Sequence, residues 1–224
     1  MTSVKELKNL NGLSNGIHKQ WVWNTKADYY KSCDYLQKIN YCIQDLNAEI
    51  TNLTSPSMKE VVYIIVLIDW IREAVDNFPK LLKEELPPFS YIQQKKMDRL
   101  KRFFTAIRSF AVAHPLATDR HPDYGFDGDK ICVDIKQKTS VVAKNYSCEG
   151  NWYHLGINGL TNNAKNIPSD FVMYIYSKRR DNMQFYKYIG VDFADLYYVA
   201  ESYIEYLYAF AEYLSNQKRK DYTI

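Results

Sequence analysis

The chain has 224 residues, 46% hydrophobic and 25% charged, a balance that suits a folded protein with a proper core and argues against disorder. Its formal net charge of +3 is too small for bulk charge alone to indicate nucleic-acid binding. The longest apolar run, Val61 to Ile68, falls far short of a membrane span.

Four cysteines, Cys33, Cys42, Cys132 and Cys148, form no close pair of the zinc or redox kind. The opening residues, with Lys5, Glu6 and Lys8, lack the apolar core of a signal peptide. These features predict a cytoplasmic chain with free thiols and no membrane partner. The 20 Tyr and 10 Phe are numerous, and amphipathic rings on helix surfaces suit partner contacts.

Residues 1–24 read as an arm with Trp21 and Trp23 tucked against the body. Helical spacing of Tyr29, Cys33, Leu36, Ile39, Ile43, Leu46 and Ile50 predicts a first helix from Lys26 to Leu53, ended by Thr54-Ser55-Pro56. Ser57 and Glu60 form a capping-box pattern for a second helix, apolar nearly all round before Asp69 and so expected at the centre of a bundle. After Leu86-Pro87-Pro88, a third helix from Tyr91 to Ala113 carries the stripe Leu100, Phe103, Phe104, Ile107, Phe110 and Ala111.

Beyond His114 the pattern changes to short β-rich stretches: Ile131 to Ile135, Ser140 to Ala143, Trp152 to Gly156, Phe171 to Tyr176 and Phe185 to Ile189. A last helix, Asp192 to Asn216, closes the bundle and leaves Lys218, Arg219 and Lys220 in solvent. The expected fold is a single, mainly α domain over residues 1–224. It is an antiparallel helical bundle with a small β-rich insertion at about 131–189, forming an antiparallel sheet laid on the helices.

The sharpest chemical signal is the run IRSFAVAHP, which holds Arg108 and His114. Six ideal helical steps leave the two side chains about 120° apart and about 9 Å along the axis. Pro115 biases His114 away from the α region, so its ring can turn back toward the arginine. A guanidinium beside an imidazole suits a phosphodiester, with Arg stabilising charge and His moving protons. The plainer alternative is that His114 caps its helix while Arg108 pairs with a buried acid.

Asp69 and Glu73, four apart on helix two, are candidates to fix Arg108, and Arg72 beside them is a competing partner. Lys95, Arg99 and Arg102 share one face of helix three, and Lys101 lies two turns before Arg108, a basic track suited to RNA. The loop bearing Asp119, His121, Asp123, Asp127 and Asp129 has ligands for a divalent ion but no known metal spacing. His154 reads as structural, and YHLGING as a turn. No nucleophile elbow or glycine-rich phosphate loop is present.

Arg108, the five residues after it and His114 near a helix end resemble the signature of the HEPN superfamily. These helical domains occur in prokaryotic toxins, abortive-infection and CRISPR-associated proteins and RNA-processing enzymes. The resemblance covers about Lys26 to Pro115 and Asp192 to Asn216. It implies a metal-independent endoribonuclease for single-stranded or looped RNA, active in phage defence or a toxin system. No cofactor or metal is implied, and the site would be assembled across a homodimer.

By the same resemblance Arg108 would polarise the scissile phosphate, and His114 would transfer a proton or position the 2′-hydroxyl. Ser109 stands where the family often carries Asn, Asp or His and retains one donor. Ser109, Pro115 and the strand-rich stretch depart from the smallest members. Two other readings compete: a noncatalytic protein-interaction module or regulator of phage or plasmid origin, and a metal-dependent hydrolase using the loop at 119–129.

Overall fold

In a computed structural model, which describes residues 4–13, 15–116, 129–139, 152–178 and 184–217, the first helix begins where its capping chemistry places it. The Asp28 N–H donates to Thr25 Oγ1 and the Thr25 N–H donates to Asp28 Oδ2, both at 3.1 Å. This reciprocal box opens α1 (Lys26–Glu49), which buries Leu36, Ile39, Cys42, Ile43 and Leu46 before tightening into a 3-10 turn, Ile50–Asn52. Ser57 and Glu60 form the same box at the start of α2 (Met58–Asn77). Apolar through most of its circumference, α2 packs against α1 and both later helices and reaches the edge of the sheet.

Helix α3 (Gln94–Arg108) starts three residues later than the stripe predicts and stops being α-helical at Arg108, where a π-helical turn, Ser109–Ala113, takes over. The last helix, α4 (Phe193–Ser215), is buried along Phe193, Leu196, Tyr197, Ala200, Ile204, Leu207, Phe210 and Leu214. The buried Tyr197 hydroxyl donates to the Leu46 carbonyl at 2.6 Å, tying α4 to α1.

The arm is held as expected. Trp23 is buried and its Nε1 donates to the Ile17 carbonyl at 3.1 Å, while Trp21 packs half-buried on the core. At Gly16 a Cβ would stand 2.1 Å from the Ala211 carbonyl oxygen. Only a residue without a side chain lets the arm lie this close to α4.

The sheet overturns the expected helical bundle with a small β-rich insertion. Strands β1 (Asp129–Gln137), β2 (Trp152–Gly156), β3 (Gly159–Asn162), β4 (Phe171–Lys178) and β5 (Gln184–Val191) pair in the order β1-β4-β5-β2-β3. The β1/β4, β4/β5 and β2/β3 pairs are antiparallel, but β2 and β5 run parallel. The sheet is therefore mixed, and the fold is an α/β architecture.

Alternation along the strands explains why the sheet is a full structural layer. Phe171, Met173 and Ile175, with Ile135, Leu155, Ile189 and Val191, enter the same core as the four helices. On the opposite face Trp152, Tyr188 and Val172 form a second small cluster. There the Trp152 and Tyr188 rings stack at 4.5 Å, and Tyr188 and Tyr174 at 4.9 Å. Strand β3 was not anticipated; the predicted YHLGING turn is its hairpin, with Gly159 at φ +121° where an L side chain is strained. The predicted strand at Ser140 to Ala143 and the basic tail lie outside the described residues.

Candidate functional site

Asp69, Arg72 and Asp76 recur at i, i+3 and i+7 on α2, so they share one stripe of that helix. Lys101 and Arg108, seven residues apart, do the same on α3. Together they interlock into a ladder of alternating charge. Arg108 Nε donates to Asp69 Oδ2 at 2.5 Å, and Arg72 Nε donates to Asp69 Oδ1 at 2.9 Å. Arg72 then reaches Asp76 Oδ2 at 3.3 Å, and Lys101 Nζ meets the same oxygen at 2.8 Å.

Asp69 is 8% exposed, and a carboxylate so deep in an apolar helix needs the two guanidiniums it receives. Burial works against the Arg72 cation. The hydrogen bond and charge of Asp69, with Asp76, outweigh that cost and hold its pKa above the ordinary arginine value. Asp69 is thus the Arg108 partner that the sequence proposed, and Arg72 joins the pair instead of displacing it. Glu73 sits at the exposed rim, 3.5 Å from Arg72.

Past Arg108 the helix widens. The His114 N–H donates to the Ser109 carbonyl at 3.1 Å, the i→i−5 bond of a π turn. His114 ends that turn at φ −141°, ψ 53°, outside the α region as its proline neighbour requires. The i→i−5 bond sets the His114 backbone one turn beyond Ser109, at the same end of α3 as Arg108. His114 is exposed and the Arg108 side chain is 32% exposed. A fixed cation and an accessible imidazole therefore share one end of α3.

Ser109 is buried, 4% exposed, and its carbonyl closes the turn. Burial sets it apart from the more accessible Arg108 and His114 side chains. Lys95, Arg99 and Arg102 are exposed on α3. Lys101 is bound to Asp76. The loop at 119–128 lies outside the described residues, and Asp129 begins β1. Among the described residues no three His, Cys, Asp or Glu side chains form a group able to hold a metal ion.

Sequence reasoning missed Asp76, although its spacing from Arg72 was visible. It also missed the contacts around His154, whose Nε2 lies 3.1 Å from Asp192 Oδ2. Nearby, Asp195 Oδ2 accepts from the Ile157 N–H at 3.2 Å, and burial raises the Asp195 pKa. These groups fasten the β2–β3 hairpin to the start of α4. Burial also pushes the Cys42 thiol up to about 11 and the Cys132 thiol up to about 12, so neither is a ready nucleophile.

No family model, curated protein or solved structure matches the chain. Among the described residues no helix is long and apolar enough to cross a membrane.

Proposed function

We propose that the chain is a metal-independent endoribonuclease acting on single-stranded or looped RNA at Arg108 and His114. The observation that carries this reading is the π turn between them, because such turns recur at functional sites and this one ends α3 on an exposed imidazole, beyond a guanidinium already fixed by Asp69. The HEPN resemblance points the same way. RNA supplies its own nucleophile, so the site must orient the strand, move protons and stabilise charge on the phosphate.

In the proposed step the 2′-oxygen gives its proton to an imidazole and attacks phosphorus. The 5′-oxygen leaves and takes a proton from a second imidazole. The products are a 2′,3′-cyclic phosphate and a 5′-hydroxyl end. Arg108, held by Asp69, offers its remaining N–H groups to the non-bridging oxygens. A second copy of this chain supplies the second His114, and Lys95, Arg99 and Arg102 guide the strand.

The test is cleavage of matched RNA and 2′-deoxy strands in EDTA. RNA alone should be cut, and Arg108→Ala or His114→Ala should each lower the rate by at least about 100-fold. Equal rates for wild type and both variants would refute the assignment. A protein-interaction role is favoured by one further observation, the exposed rings of Tyr30, Tyr41 and Trp70 on α1 and α2. Absence of RNA cleavage by the assembled protein would move the assignment to that role.

A further inference from the structure

Two turns along the ladder from Arg108, a cleft of about 80 Å³ opens between α2, α3 and α4. Asp76, Gln94, Asp98, Lys101, Tyr203 and Tyr206 line it. Its hydrogen-bonding capacity is only partly used. The Tyr203 side chain is buried, 2% exposed, and its hydroxyl has no hydrogen-bond partner among the described residues, although a buried hydroxyl ordinarily finds one. Burial and the neighbouring Asp76 raise its pKa, so it stays protonated and able to donate.

Asp76 is neutralised by Arg72 and Lys101. Asp98 is different. Its Oδ1 accepts from Gln94 Nε2 at 2.8 Å, and it forms no salt bridge with the described residues. Lys101 follows Asp98 by three residues, one turn along the same face of α3. It has protons left after meeting Asp76. The Tyr206 ring, edge-on to Phe89 at 5.2 Å and to Tyr91 at 5.0 Å, is a braced aromatic wall.

We propose that this cleft is a guanine-binding subsite, with the Asp98 carboxylate accepting from the base's N1–H and N2–H, Lys101 donating to O6, and Tyr206 packing on the ring. The inference rests on the RNA-cleaving reading above and names the nucleotide preferred beside the cut. An acceptor pair next to an ammonium matches guanine's edge, two donors followed by an acceptor. Adenine would set its N1 lone pair against the carboxylate. Uracil and cytosine offer the carboxylate one donor each.

Phosphate is disfavoured there by the Asp98 carboxylate, which forms no salt bridge with the described residues. Single-stranded RNA is commonly read by stacking on aromatic rings and by bonds to base edges. The cleft is small and open, so it takes the edge of the base and leaves the sugar outside. On α3 Lys101 lies seven residues and Asp98 ten residues from Arg108, about 10 Å and about 15 Å at the helical rise, the reach of a nucleotide one or two steps from the cut.

The experiment titrates each of the four 5′-mononucleotides into the full-length protein by calorimetry, so that the shared phosphate cancels and the differences report the base. Guanosine monophosphate should bind at least about tenfold more tightly than the other three. The exposed Asp98→Asn variant should lose that preference, and Tyr206→Ala should weaken all four. Equal binding of the four, or an unchanged preference in Asp98→Asn, would overturn the subsite. Cleavage of a randomised RNA pool separates the two claims. Cutting without base preference would leave the nuclease standing and sink the subsite. Asp98-dependent guanine binding by a protein that cuts nothing would do the reverse.

Discussion

Replacing Asp69 by alanine removes the acceptor shared by two guanidiniums, and the structure allows the cost to be sized. Breaking a buried ion pair by deleting one partner typically costs about 3–5 kcal/mol, because the other charge is left uncompensated. Two features reduce that figure here. Arg72 retains Asp76 at 3.3 Å, and the Arg108 side chain is 32% exposed, so water recovers part of the lost solvation. The expected loss is about 2–3 kcal/mol.

Asp69→Asn keeps one acceptor oxygen while losing the charge, and should cost about half as much. Urea denaturation gives both values from midpoints at constant m. The discriminating measurement is the cycle Asp69→Ala, Arg108→Ala and the double variant. If Asp69 holds the Arg108 guanidinium, the two substitutions couple by at least about 1 kcal/mol. Additive effects, or a loss below about 0.5 kcal/mol for Asp69→Ala, would refute the ladder as the means by which Arg108 is held.

Gly16→Ala should destabilise by about 1–3 kcal/mol, because its Cβ would press on the Ala211 carbonyl and the Ser215 amide nitrogen of α4; thermal unfolding checks it. Asp195→Asn tests the sign of a buried carboxylate. The folded state raises the Asp195 pKa, so the protonated form contributes stability at low pH that is lost as pH rises through the folded pKa. The Asn variant should therefore be the more stable at pH 7, with the gap closing on acidification; a gap that widens toward acid would be the wrong sign. At pH 8 Cys42 and Cys132, with pKa values pushed up to about 11 and about 12, should react with a thiol reagent at least about 100-fold more slowly than an ordinary exposed cysteine, Cys132 the slower of the two, followed peptide by peptide in a mass spectrometer.

The parts of this fold that were legible in the sequence are those set by local chemistry. Ser57 and Glu60 announced the start of α2. The stripe from Phe193 to Leu214 announced α4, and an acid at position 69 after an apolar run stood, with Glu73, as a candidate partner for Arg108. The weight of the sheet was not legible. Strand β2 pairs parallel with β5, more than thirty residues later, and no periodicity within either strand records that partner. The π turn was hidden for a different reason. The residues from Ser109 to Ala113 carry a helical stripe, and it is the imposed break at His114-Pro115 together with the bond to Ser109 that widens the turn.

The ladder also bears on why a cation competent to bind phosphate would be built into a structural network. An arginine free in solvent must surrender rotamer freedom when a substrate arrives. One already held at 2.5 Å by a buried carboxylate has lost that freedom during folding, and its other N–H groups are presented in a fixed plane. The same rigidity runs back along α2 through Arg72 and Asp76 to Lys101, so Arg108 at one end and the cleft at the other share a frame. Weakening Asp69 should therefore lower kcat more than it raises KM, since misplacing a prepositioned charge is felt most where charge develops on the phosphate.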